Sequence, residues 1–117
     1  MSTASRSRVE TAGNFLVDAP AFGALDEAIH QKVRLGIMST LMALGSADFK
    51  LLKETLGLSD GNLSTHLALL EERGYVSVIK EFKGRKPHTT ASPTELGRKA
   101  FRDYLAALEK IIQAAKR

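Results

Sequence analysis

Cysteine is absent from these 117 residues. That excludes disulfides, thiolate metal sites and thiol redox sensing. Histidine is nearly as scarce, with three in all: His30 and His88 are too far apart and lack ligand spacing, so no metal site is expected. No apolar run approaches the roughly 20 residues that a membrane span needs. The Ser- and Arg-rich start, Met1 to Glu10, lacks the continuous apolar stretch of a signal peptide, and a cytoplasmic protein is expected. There are no clustered carboxylates, no Gly-rich phosphate loop and no Gly-x-Ser-x-Gly elbow around a serine. Neither an enzyme nor a cofactor is indicated.

What is present is the balance of an ordinary globular protein, 44% apolar and 26% charged. The chain is long enough for one modest core and short enough that dimerisation would help to stabilise it. Its net charge is +4, and the distribution is uneven. Between Lys80 and Arg102, seven cations (Lys80, Lys83, Arg85, Lys86, Arg98, Lys99, Arg102) stand against Glu81 and Glu95. The positive field is concentrated there, as expected of a chain that meets a polyanion.

Residues 1–22 read as a tail or a loosely docked arm, with Phe15, Leu16, Val17 and Phe22 available to pack. The domain proper is expected over 23–117. Leu25, Ile29, Val33, Ile37, Leu41 and Leu44 recur at helical spacing, with Asp26 as a cap and Gly45 as the stop. A shorter helix is expected after Asp48, with Phe49, Leu52 and Leu56 on one face and Gly57 as its left-handed end. Ser59 caps a third helix, over 60–73, that stops at Gly74. Its inward residues are Leu63, Leu67 and Leu70; Asn62, Ser64, Thr65 and Ala68 lie opposite. The period then changes to two: Val76, Val78 and Phe82 alternate with Ser77, Ile79 and Glu81, which predicts a strand over Tyr75 to Lys83. Lys83-Gly84-Arg85-Lys86-Pro87 has turn chemistry, and His88 to Ser92 can return as a short strand. The last helix, 93–115, starts either from Ser92 with Pro93 at its first position or from Thr94 as the cap.

The expected fold class is therefore mainly α with a small β-hairpin: a winged helix-turn-helix, a three-helix core plus wing, with a long C-terminal dimerisation helix. The tight Gly57-Leu58-Ser59 turn defines the helix-turn-helix. Small polar residues at the start of the third helix let its backbone approach a groove, and its free N–H groups can meet a phosphate. Ser59, Gly61, Asn62, Ser64, Thr65 and His66 are the candidate major-groove residues. Lys83, Arg85, Lys86 and His88 are the candidates on the wing, for the backbone or the minor groove. The partner so implied is double-stranded DNA. The apolar stripe of the last helix is too wide to stay exposed and implies a homodimer. Leu25, Ile29, Phe101, Tyr104, Leu105, Leu108, Ile111 and Ile112 are its candidate contacts.

Asp48-Phe49, Leu52, Leu56-Gly57-Leu58-Ser59, Asn62-Leu63-Ser64, His66-Leu67, Leu70-Glu71 and Gly74-Tyr75-Val76 resemble winged helix DNA-binding domains near the MarR and ArsR groups of bacterial and archaeal transcriptional regulators. Gly84-Arg85-Lys86-Pro87-His88-Thr89 is similar to the wing of that group, and the resemblance covers about Leu25 to Leu108. It implies a homodimer on a near-palindromic operator, with the outer helices in contact and the groove between them as the place for any small-molecule effector. Three departures stand out. The Cys-rich motif of metal-sensing ArsR members is missing; Thr65 stands where Lys is frequent; and Pro93 stands where an aliphatic residue is common, which suggests a shorter or bent return strand.

Plainer readings compete at several positions. His66 beside Leu67 can pack or cap instead of touching DNA, Asn62 can cap a turn, and Ser59 is a cap rather than a nucleophile. The same fold also serves as a protein–protein adaptor without DNA readout, although an acidic or apolar third helix would suit that role better.

Overall fold

The computed structural model describes residues 18–116. It divides into two units, one of Asp26–Phe101 and one of the described residues up to Leu25 with those from Arg102 onward. Along the chain the elements are α1 (Ala19–Gly23), α2 (Lys32–Leu44), β1 (Ala47–Asp48), α3 (Phe49–Leu56), α4 (Asp60–Glu72), β2 (Val76–Lys83), β3 (Lys86–Pro93) and α5 (Glu95–Ala115). The fold is a mainly helical winged helix-turn-helix with a small antiparallel sheet, as the sequence predicts. The expected packing of Phe15, Leu16 and Val17 lies outside the described residues.

In the larger unit α2 is the hub, packing against α3, α4, β1 and β3. Ile37, Met38 and Leu41 of α2 are fully buried with Leu52 of α3 and Leu63 and Leu70 of α4. Each such side chain contributes about 1.5–3 kcal/mol by leaving water. The sheet order is β1-β3-β2, and the β2–β3 hairpin pairs Val76 with Pro93 at its base and Lys83 with Lys86 at its tip.

The first long helix starts later than its apolar spacing predicts. Gln31 is extended (φ −152°, ψ 135°), and its side-chain oxygen accepts from Arg34 N at 2.9 Å, so α2 begins at Lys32. Asp26 caps a separate turn, accepting from Ala28 N at 2.8 Å and Ile29 N at 3.1 Å. Tertiary bonds hold this turn off the helix axis. The Tyr75 hydroxyl donates to the other Asp26 oxygen, and Arg34 Nε donates to the Ala28 carbonyl at 2.5 Å. Leu25 and Ile29 therefore lie outside the helix whose stripe they were expected to extend.

Two elements carry no periodic signal. β1 is two residues long and pairs Ala47 with Ala91 and Asp48 with Thr90. α1 is one turn within the expected tail, capped by Asp18 (Ala21 N to Oδ1, 2.9 Å) with Pro20 in its first turn. In the smaller unit Pro20, Ala21 and Ala24 line a shallow hollow with Asp103, Ala106, Ala107 and Lys110 of α5.

Pro93 neither shortens the return strand nor starts the last helix. β3 spans eight residues and ends on Pro93, opposite Val76 and beyond the reach of β1, so its missing N–H leaves no gap in the ladder. Thr94 is the cap: its hydroxyl accepts from Gly97 N at 2.9 Å and donates to the Gly74 carbonyl at 2.6 Å. Gly97 is obligatory in this joint. A Cβ there would stand 2.0 Å from the Tyr75 carbonyl oxygen, which already accepts from Thr94 N at 3.0 Å.

Candidate nucleic-acid interface

The third helix of the sequence reading is α4, and local chemistry positions it. Gly57 adopts the left-handed conformation (φ 66°) that ends α3, and Leu58 N returns to the Lys53 carbonyl. Two residues later Ser59 caps α4, its Oγ accepting from Asn62 N at 3.1 Å. Lys53 of α3 meets Asp60 at the start of α4, 2.8 Å apart, and this bond raises the lysine's pKa above its usual value. The pair is solvent-exposed and worth little energetically. It does place a cation beside the one carboxylate in the first turn of α4.

Leu63, Leu67 and Leu70 point into the core, which turns the opposite side outward. Gly61, Asn62, Ser64, Thr65 and Ala68 are exposed there. The Thr65 hydroxyl donates back to the Gly61 carbonyl at 2.9 Å, so it stands close to the helix surface. No hydrogen bond engages the Asn62 side-chain amide among the described residues.

His66 is half-buried, on the edge between the two faces. Its Nδ1 lies 3.0 Å from Arg34 Nη1 of α2. A guanidinium can only donate, so Nδ1 accepts and the ring proton sits on Nε2. Burial, and then the Arg34 charge, lowers the pKa of His66. Sequence spacing alone does not reveal Arg34, which is 32 residues away.

The wing is an eight-by-eight-residue hairpin closed by Gly84 and Arg85, with Gly84 at φ 66°. Lys83, Arg85 and Lys86 are all exposed at its tip. Lys83 and Lys86 are direct cross-strand partners. Like charges so placed repel. Among the described residues no carboxylate pairs with either of them, with Arg85 or with Lys80. His88 is half-buried on β3 and faces Glu81 across the strands.

Lys80 belongs to the basic segment of the sequence but is not among the wing residues expected at the site. Val78, Lys80 and Thr89 share one face of the hairpin and line a cleft of about 370 Å³ with Ser64, Ala68 and Glu71 of α4. The period-two alternation carried that signal, since Lys80 lies two residues from Val78 on the core-facing side. The outward surface of α4 and Lys80 of the wing thus border one cleft in one unit.

The candidate interfacial residues at the other end divide by burial. Ile29 and Phe101 are buried in the larger unit, and Tyr104 is 1% exposed, so these three have no side-chain surface left to offer. Leu25, Leu108 and Ile111 are partly exposed. Leu105 and Ile112 remain open at 45% and 37%.

Comparison with known proteins agrees with this geometry. Residues 33–112 match the family model described as winged helix DNA-binding domain. An uncharacterized protein of Methanocaldococcus jannaschii is 39% identical over 84 residues, 72% of this chain and 88% of that protein. The structure of a transcriptional regulator homologue from Pyrococcus horikoshii superposes with a TM-score of 0.69 at 34% identity, covering 75% of this chain and 87% of that one. At 18% identity, a MarR family transcriptional regulator from Streptomyces coelicolor, solved in complex with DNA, shares the fold with a TM-score of 0.56 over 97% of this chain and 72% of its own.

Proposed function

This chain belongs to the winged helix DNA-binding domain family, and we propose that it is a sequence-specific transcriptional regulator that binds double-stranded DNA as a homodimer. One observation carries the reading. The small polar face of α4 borders the same cleft as a wing whose four cations, Lys80, Lys83, Arg85 and Lys86, have no internal counter-ion among the described residues. Charges held together against their own repulsion, beside a helix surface short enough to enter a groove, suit a phosphate backbone flanking base edges. The fold is also that of a regulator solved with DNA bound.

In this reading α4 lies in the major groove. Gly61 and Ser59 allow the backbone to approach, while Ser64, Thr65 and the His66 Nε2–H meet polar edges or phosphate. The Asn62 amide can bond an adenine edge with donor and acceptor together. The wing cations contact the adjoining backbone or minor groove. Homodimerisation uses the apolar positions still open on α5, chiefly Leu105 and Ile112 with Leu108 and Ile111 beside them.

Selection from a random duplex pool, followed by anisotropy titration of the recovered sequence, tests the proposal. If two subunits neutralise about six phosphates, affinity falls roughly a thousandfold between 50 and 200 mM salt. Asn62→Ala narrows the gap between selected and random duplex, whereas Arg85→Ala weakens both. A chain that enriches no sequence, or binds with no salt dependence, is not this regulator. For the dimer, light scattering at micromolar concentration should give twice the chain mass, and half that for Leu105→Glu.

A further inference from the structure

We infer that the wing carries an apolar wedge, Phe82 backed by Pro87, that enters the minor groove and packs against a deformable base step. This inference rests on the DNA-binding reading and deepens it. Phe82 is 73% exposed, more than any other large apolar side chain among the described residues. It stands in the second pair from the hairpin tip, directly opposite Pro87 and next to the Lys83–Lys86 pair. Two rigid apolar groups therefore sit side by side next to the cationic tip.

The hairpin pleat fixes the side on which they stand. Residues two apart on a strand share a face, as do direct cross-strand partners. Val78, Lys80 and Thr89 turn that face toward α4, and Phe82 and Pro87 continue it outward. Pro87 also borders a second hollow with Phe49 and Lys50 of α3. The apolar pair therefore belongs to the helix-turn-helix side of the sheet.

The surroundings select the occupant. A protein partner that covered Phe82 would bury neighbouring lysines, and the cores of protein interfaces are depleted in charge. A membrane surface would suit cations with an aromatic, but it would not need the groove-reading helix across the cleft. Duplex DNA fits both parts, since phosphates take the cations, the deoxyribose walls of the minor groove are largely apolar, and an opened base step offers apolar faces. Side chains such as Phe and Pro wedge between base steps there, most easily at flexible pyrimidine–purine steps.

The test uses the full chain and the duplex recovered by selection, with 2-aminopurine placed in turn at each step of the flanks. Wild type should raise 2-aminopurine fluorescence at one flanking step in each half-site. Phe82→Ala should abolish that rise and weaken binding about tenfold, the scale of losing one aromatic–base contact. Its slope of log affinity against log salt should be unchanged, whereas Arg85→Ala lowers the slope by about one. Phe82→Leu, which keeps an apolar wedge, should restore part of the fluorescence change. Unchanged affinity and fluorescence in Phe82→Ala, in a protein that binds the duplex, would overturn the wedge and leave the regulator reading intact. A change in self-association without a change in DNA binding would likewise overturn it. A wild-type chain that binds no duplex removes the parent reading, and the wedge with it.

Discussion

Replacing Gly97 with Ala should destabilise the fold even though alanine is the better helix former. The added Cβ would stand 2.0 Å from the Tyr75 carbonyl oxygen, 2.8 Å from its carbon and 3.0 Å from its Cα. These are backbone atoms, so no side chain can swing aside. The start of α5 must move by more than an ångström, and the bonds that dock it must stretch: Thr94 N to the Tyr75 carbonyl at 3.0 Å and Thr94 Oγ1 to the Gly74 carbonyl at 2.6 Å. Overpacking against a rigid wall costs about 3 kcal/mol, and a strained hydrogen bond about 1 more. The helix propensity gained from Gly to Ala returns about 1 kcal/mol. The net loss of about 3 kcal/mol should lower the melting temperature by roughly 12 °C. Thermal melts followed by circular dichroism measure it directly. Because the clash is with main chain, Tyr75→Ala should not rescue the variant. A Gly97→Ala protein that melts with wild type, or above it, would refute the close approach and the way α5 is joined to the hairpin base.

Gly61 provides the opposite case. A Cβ there meets nothing within 4 Å, so Gly61→Ala should stabilise the chain by about 0.5–1 kcal/mol in chemical denaturation and weaken DNA binding, separating fold from contact. The hydrogen bond to Asp26 pushes the Tyr75 pKa up to about 12, above its ordinary value of 10.0. The stability from this neutral phenol is complete below pH 10 and is lost as pH rises through about 12; denaturation across that range should show the fall, and Tyr75→Phe should reduce it. The pKa of His66 lies below its ordinary 6.5, so stability is complete above that pH and falls as the more basic unfolded ring takes up a proton; His66→Gln should flatten this acid limb.

The helix-turn-helix was legible in the sequence because its signals act over three or four residues. Asp48 and Ser59 cap the helices that follow them, and Gly57 and Gly74 supply left-handed turns at φ 66° and 80°. The alternation from Val76 onward likewise reports a strand whatever its neighbours. Other features depend on residues distant in the chain. The break at Gln31 follows from Asp26 reaching Tyr75 and Arg34 reaching Ala28, which helical spacing between Leu25 and Leu44 cannot express. β1 exists only because Ala91 and Thr90 lie beside it. Apolar periodicity placed Ile29, Phe101 and Tyr104 with Leu105 and Ile112, but it does not tell which of them the protomer buries itself. Helical period did locate the outward face of α4; the engagement of His66 by Arg34 needed the fold. The Asp18-Ala19-Pro20 start of α1 is a local signal too, a cap followed by a helical proline, within the stretch whose composition reads as tail.

Asp48 closes the edge of the sheet through its main chain and starts α3 through its carboxylate, which accepts from Leu51 N at 2.7 Å. The middle of the hairpin, at Thr90, and the start of α3 are thereby joined through one residue. Tilting β3 would drag the start of α3 with it, so the angle between the hairpin and the helix pair is set at this joint. Lengthening the loop at Gly84 and Arg85 leaves that joint untouched. Reach can therefore be re-engineered at the fingertip, whereas aim is inherited from the knuckle.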